Sequence, residues 1–190
     1  MSRESAREKI LETAEGLFYA QGFRAIGVDM IVEKSGVAKM TLYRHFPSKD
    51  DLIVAYLQDS HEASVGWINS LIAPYPDDGR AAIIALFEGL AYQARQPTCY
   101  GCTFVVAASE FPEHEHPAHQ VALTYKKDML DTLYRLAEQA GAANPTQLAQ
   151  QLFLLMDGTW AAVRVFGPHN LSQSLVSAVR VLLEASLSRE

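Results

Sequence analysis

Apolar residues recur at three- and four-residue intervals along nearly the whole chain, while strand-like alternation is almost absent. The pattern predicts an all-α protein of about nine helices with short Gly and Pro punctuation between them. Ile10, Ala14, Leu17 and Phe18 form one stripe on a first helix, which Gly22 ends, with Phe23 placed as its hydrophobic C-terminal contact. A second helix spans about 28–35 and buries Ile31 and Val32. Gly36 permits a tight turn into a third helix over about 38–46. Pro47 stops that helix, because the residue before a proline is pushed out of helical geometry. Ser48-Lys-Asp-Asp51 opens a fourth helix as a capping box with acids in the first turn. Leu57, His61, Ser64, Ile68 and Leu71 carry it toward Pro74 and Pro76. Later helices are expected at about 78–95, 102–110, 117–140, 145–166 and 171–188. The breaks fall at Pro97, at Pro112 and Pro117, at Gly141 and Pro145, and at Gly167 and Pro168.

Two short helices joined by a glycine turn describe a helix-turn-helix. Projected at about 100° per residue, the third helix turns Leu42 and Phe46 inward against Ile31 and Val32. Arg44 points the opposite way, flanked by Met40 and Thr41, with Tyr43 and His45 on the two shoulders. Such a helix offers outward groups to base edges and flanking donors to phosphates. Arg44 has the donors for a bidentate bond to guanine, and Thr41 or Met40 can touch a thymine methyl. Lys49 adds a cation beside the free amides that open the fourth helix.

Charge sharpens this division. The 190 residues carry a net charge of −6, which argues against a protein that coats nucleic acid without specificity. Residues 1–58 hold eight Lys/Arg and eight Asp/Glu, whereas residues 59–190 hold eight and fourteen. A neutral head on an acidic body suits local docking on DNA. The charged start has no apolar core of a signal peptide, and the apolar run from Leu152 to Phe166 is interrupted by Asp157 and Arg164. With two cysteines and no disulfide framework, the expected location is cytoplasmic.

The run Gly36-Val-Ala-Lys-Met-Thr-Leu-Tyr-Arg-His-Phe-Pro-Ser-Lys-Asp-Asp-Leu52 resembles the signature of TetR-type transcriptional regulators, G-V-x-x-x-T-L-Y-x-H-F-x-x-K-x-x-L, without a gap. The resemblance implies that Tyr43, His45 and Lys49 anchor the DNA backbone while Lys39, Met40, Thr41 and Arg44 face the major groove. Gly27-Val28 departs from the family, which often has Ser or Thr there, although Gly is a tolerable N-cap. The expected organisation is therefore a helix-turn-helix domain over residues 1–47. A helical effector-binding and dimerisation domain follows over 48–190, joined through the fourth helix.

Beyond residue 59 the resemblance is weaker and implies a ligand cavity and a homodimer built on the last two long helices. Leu148, Leu152, Leu155, Thr159 and Val163 share one face of the helix at 145–166, with Phe153, Trp160 and Arg164 on another. The last helix shows Leu175, Val179, Leu182 and Ser186 on one face, with Val176 and Leu183 beside it. Two apolar faces suit one core and one partner, although the pattern equally fits burial inside one subunit. Candidate ligand contacts are Trp67, Phe87, Tyr92, Cys102, Phe104, Tyr125, Met129 and Trp160, with Phe111 also among the aromatic residues available. They suggest an uncharged or weakly polar, partly aromatic effector.

Cys99 and Cys102 precede His114, His116 and His119 at a spacing near that of a two-cysteine, two-histidine zinc site. The helix-like run Phe104–Phe111 and Pro112 between the pairs contradict a zinc finger, so neither metal nor cofactor is expected. The segment around Gly101-Cys102 through Phe111-Pro112 also resembles one found in a branch of TetR-type regulators. A structural role is the expected one, with thiol or metal sensing and a small Cys/His enzyme as alternatives. The overall expectation is a repressor that leaves a palindromic operator when a small effector binds. An activator would share the same residues.

Overall fold

Helix ends in this chain are written by local caps. The computed structural model describes residues 5–167 and 171–187. Pro168, expected as a break, and residue 188, expected as the end of the last helix, lie outside them. α1 (Ala6–Gln21) opens on a reciprocal box: Glu8 N–H donates to Ser5 Oγ at 3.2 Å, and Ser5 N–H donates to Glu8 Oε2 at 2.8 Å. α2 (Val28–Ser35) starts at Gly27 without a side-chain cap and ends at Gly36, whose φ of 65° is the left-handed turn that glycine adopts without strain. α3 (Lys39–His45) is one residue shorter at each end than expected, with Phe46 extended ahead of Pro47. α4 (Lys49–Ile72) carries the expected box: Ser48 N–H donates to Asp51 Oδ2 at 2.9 Å, and Asp51 N–H donates to Ser48 Oγ at 3.1 Å.

The rest of the order is α5 (Gly79–Gln93), α6 (Thr103–Glu110), α7 (Pro117–Gln139), α8 (Pro145–Phe166) and α9 (Leu175–Ser186). Asp78 caps α5 by accepting from Ala81 N–H at 2.9 Å, and Asn144 caps α8 by accepting from Gln147 N–H at 3.1 Å. Residues Leu171–Ser174, expected as α-helix, form a 3-10 turn before α9 begins, a tightening common at helix ends. Among the described residues no strand occurs, only an isolated bridge between Ala142 and Leu187. The all-α architecture stands. No helix among those residues is long and apolar enough to cross a membrane.

The chain divides into two compact units, Met1–Glu62 with Thr103–Tyr125, and Ala63–Cys102 with Lys126–Glu190. In the first, Phe18, Phe23 and Tyr56 form an aromatic triangle with ring centroids 5.3–6.0 Å apart, and Phe111 joins Phe23 at 5.9 Å. Such tilted pairs contribute about 0.5–1.5 kcal/mol each beyond their buried area. Tyr56 Oη lies 3.0 Å from Thr103 Oγ1, which ties α4 to the start of α6.

In the second unit α9 packs on α5 and α8. Its buried positions are Leu175, Val179 and Leu183, so the inward face passes through Leu183, while Leu182 and Ser186 are only half-buried. Ala143 N–H donates to the Ser186 carbonyl at 2.9 Å, fastening the α7–α8 corner to the end of α9. Lys126 pairs with Asp157 and lies 5.3 Å from the Phe153 ring centroid.

Candidate nucleic-acid interface

α1, α2 and α3 pack together around side chains that lose all contact with water. Ile31 and Leu42 are fully sealed and Phe46 nearly so, while Val32, expected inside, is half-buried. Arg7 lies 5.4 Å from the Phe46 ring centroid and covers its outer side. The inward face of α3 is therefore clamped, and its remaining side chains are held outward by a rigid support. Met40 is 82% exposed, Tyr43, Arg44 and His45 are exposed, and Thr41 is half-buried. The two sides of the helix thus divide as the projection from sequence expected.

Two cations are engaged in ways that periodicity could not reveal. Lys39 Nζ lies 2.6 Å from Asp29 Oδ1 on α2, and this hydrogen bond holds the ammonium above its ordinary pKa. Both partners are exposed, so the pair contributes little to stability and a competing anion can replace Asp29. Lys49 Nζ donates to the Phe23 carbonyl at 2.7 Å, fastening the α1–α2 loop to the start of α4. Partial burial pushes the Lys49 ammonium below its ordinary value, against the opposing pull of Asp50 and Glu110. An ammonium has three donors, so two remain for another acceptor.

The expected ligand contacts are divided between the two units. In the first, Phe104 and Tyr125 stack with centroids 3.8 Å apart, and His61 meets both rings edge-on at 6.4 and 5.5 Å. In the second, Trp160 packs on a cluster of Ala94, Cys99 and Val163, while Trp67 and Cys102 are half-buried. Tyr92 is 63% exposed. Phe87 has no accessible surface and Met129 almost none, so a ligand reaches either only after repacking.

Cys99, His116 and His119 are engaged by packing and hydrogen bonds. Cys99 is buried in the cluster just described. His116 stacks on Phe111 at 4.3 Å, and its Nδ1 accepts from Ala118 N–H at 3.2 Å. His119 Nδ1 lies 2.8 Å from the Phe111 carbonyl, and its ring meets His114 edge-on at 4.6 Å. Among the described residues no group of three His, Cys, Asp or Glu side chains gathers closely enough to hold a metal ion.

Comparison with known proteins converges on one family. The family model described as "Bacterial regulatory proteins, tetR family" matches residues 10–56. The fold is similar to that of a TetR-family transcriptional regulator from Streptomyces coelicolor, with a TM-score of 0.92 and 32% identity over 96% of each chain. In sequence the chain is similar to the HTH-type transcriptional regulator YjdC of Escherichia coli, 24% identical over 94% of this chain and 91% of that protein. It is also similar to the HTH-type transcriptional repressor KstR2 of Mycobacterium tuberculosis, 25% identical over 86% of this chain and 82% of the relative. None of these lends support to a thiol sensor, a metal sensor or an enzyme.

Proposed function

Because the chain belongs to the TetR family of bacterial transcriptional regulators, we propose that it is a repressor that leaves its operator when a small effector binds. Family membership makes it a DNA-binding regulator of a class that acts as dimers with small-molecule effectors. Our finer assignment gives residues 1–47 to DNA reading and residues 48–190 to the effector and the partner subunit, with action in the bacterial cytoplasm where the operator lies. Arg44 donates a bidentate bond to guanine, and Met40 and Thr41 contact a thymine methyl. Lys39 leaves Asp29 to enter the groove, while Tyr43, His45 and Lys49 hold phosphates. The observation that carries the reading is the exposed side of α3 standing on a sealed inner side.

Dimerisation through α8 and α9 is supported by large apolar side chains exposed on them, Leu154, Val165 and Phe166 on α8 and Val181 on α9. Two heads then meet successive major grooves about 34–36 Å apart, which calls for a palindromic site. For the effector we favour an uncharged or weakly polar, partly aromatic compound, in keeping with the half-buried Trp67 and Trp160. The unbroken course of α4 from Lys49 to Ile72 supports a linkage in which repacking of the body shifts the heads.

Selection of duplexes from random DNA by the purified protein tests the reading. A palindrome with half-sites one helical turn or a multiple apart is the expected result. Failure to prefer any duplex over random competitor at modest ionic strength, with no effector present, overturns it. An effector found by its binding to the body that leaves operator affinity unchanged defeats the release step alone.

A further inference from the structure

Glu110, the last residue of α6, ends its side chain in the loop between α1 and α2. Its Oε2 accepts from Phe23 N–H at 3.0 Å and from Arg24 N–H at 2.6 Å, and its Oε1 accepts from Phe23 N–H at 3.3 Å. These two amides lie just beyond Gly22, whose N–H still donates to the Phe18 carbonyl of α1, so the carboxylate accepts from backbone that has already left the helix. Gly22 has a φ of +84°, and a Cβ there would collide with Glu110 Oε1. The loop thus gives the carboxylate the space that any other residue at 22 would fill.

Further contacts enclose the same point. Arg24 lies 5.8 Å from the Phe111 ring centroid, and the Phe23 and Phe111 rings are 5.9 Å apart. Lys49 donates to the Phe23 carbonyl, and the Glu110 carboxylate draws that ammonium toward its charged form. All of these residues belong to one compact unit. Bonds from N–H groups to a carboxylate are about twice as strong as neutral ones, and this carboxylate sits at the point where the chain leaves α1 for α2.

The geometry points to Glu110 as a positioning residue that fixes the angle of α2 and α3 on α1 and makes α6 the element to which that angle is referred. This rests on the DNA-reading assignment above. Glu110 touches no DNA; it acts through the Phe23–Arg24 backbone on the presentation of Arg44 and its neighbours.

The test uses the full-length protein, a duplex selected by the wild-type chain and a random duplex of equal length. Glu110→Gln preserves side-chain size but removes the charge and one acceptor oxygen. Expected are faster hydrogen exchange at the Phe23 and Arg24 amides, retained protection at Ile31 and Leu42, and a preference for the selected duplex reduced about tenfold. Affinity for the random duplex and its salt dependence stay unchanged, which a general loss of structure would not allow. Gly22→Ala, which leaves Glu110 in place but denies the carboxylate its position, is expected to lower the preference in the same way.

An undiminished preference in both variants, or unchanged exchange at Phe23 and Arg24, overturns the assignment. So does an equal loss of affinity for both duplexes. If the wild-type protein itself prefers no duplex, the DNA-reading premise has failed and takes this inference with it, whereas a wild-type preference that survives in the variants defeats the clamp alone.

Discussion

The outer side of α3 and the stretch from Cys99 to His119 hold the chemically richest side chains in the chain, and the fold handles them differently. On α3, Met40, Tyr43, Arg44 and His45 are presented to solvent from a helix whose inner residue, Leu42, is sealed. Between Cys99 and His119, one sulfur and two imidazoles turn onto neighbours: Cys99 onto Val163 and Trp160, His116 onto Phe111, His119 onto the Phe111 carbonyl. Reactive residue types at suggestive spacing carry binding chemistry when a rigid support holds them outward. When the same types pack against aromatic rings and backbone oxygens, they specify a corner of the fold.

Five substitutions break or sharpen this contrast. Leu42→Ala opens a cavity beneath α3 and is expected to cost about 2–5 kcal/mol in denaturant unfolding. Met40→Ala on the opposite side of the same helix should change stability by no more than about 0.5 kcal/mol. Comparable losses would mean that α3 has no free side.

Arg44→Ala leaves the unfolding curve in place but removes about 1–3 kcal/mol of discrimination at one base position, read by titrating single-site variants of the selected duplex. Loss spread evenly over all positions would reassign Arg44 to a phosphate.

His116→Ala removes the stack on Phe111 and the acceptor for Ala118 N–H, for a stability loss of about 1 kcal/mol with base discrimination retained. Elemental analysis of the wild-type protein is expected to show no stoichiometric zinc. One zinc per chain, or unfolding by a chelator, would move the Cys–His stretch to the functional side of the comparison.

The smallest effect belongs to Gly27→Ser at the N-cap of α2. Its backbone is already extended (φ −86°, ψ 156°) and a Cβ there meets nothing within 4 Å, so the hydroxyl can cap the helix for a gain of a few tenths of a kcal/mol, about the Ser–Gly difference at such sites. A lower denaturation midpoint would show that the head is strained there.

Short-range information settled much of this protein from sequence. Gly22, Gly36, Pro47, Ser48 and Asp51 marked helix ends, and the 3.6-residue period separated Leu42 from Arg44, because caps and helix faces depend on residues three or four apart. The box at Ser5 and Glu8 belongs to the same local grammar and is written in the S-x-x-E spacing. Tertiary structure alone decided the remainder. Lys39 meets Asp29 ten positions away, and Glu110 reaches Phe23 across 87 positions. Periodicity offered no way to tell that the imidazoles would pack on Phe111 or that Lys49 would bind the Phe23 carbonyl. Those outcomes follow from the path by which separate helices return to one another, and no window of a few turns contains that path.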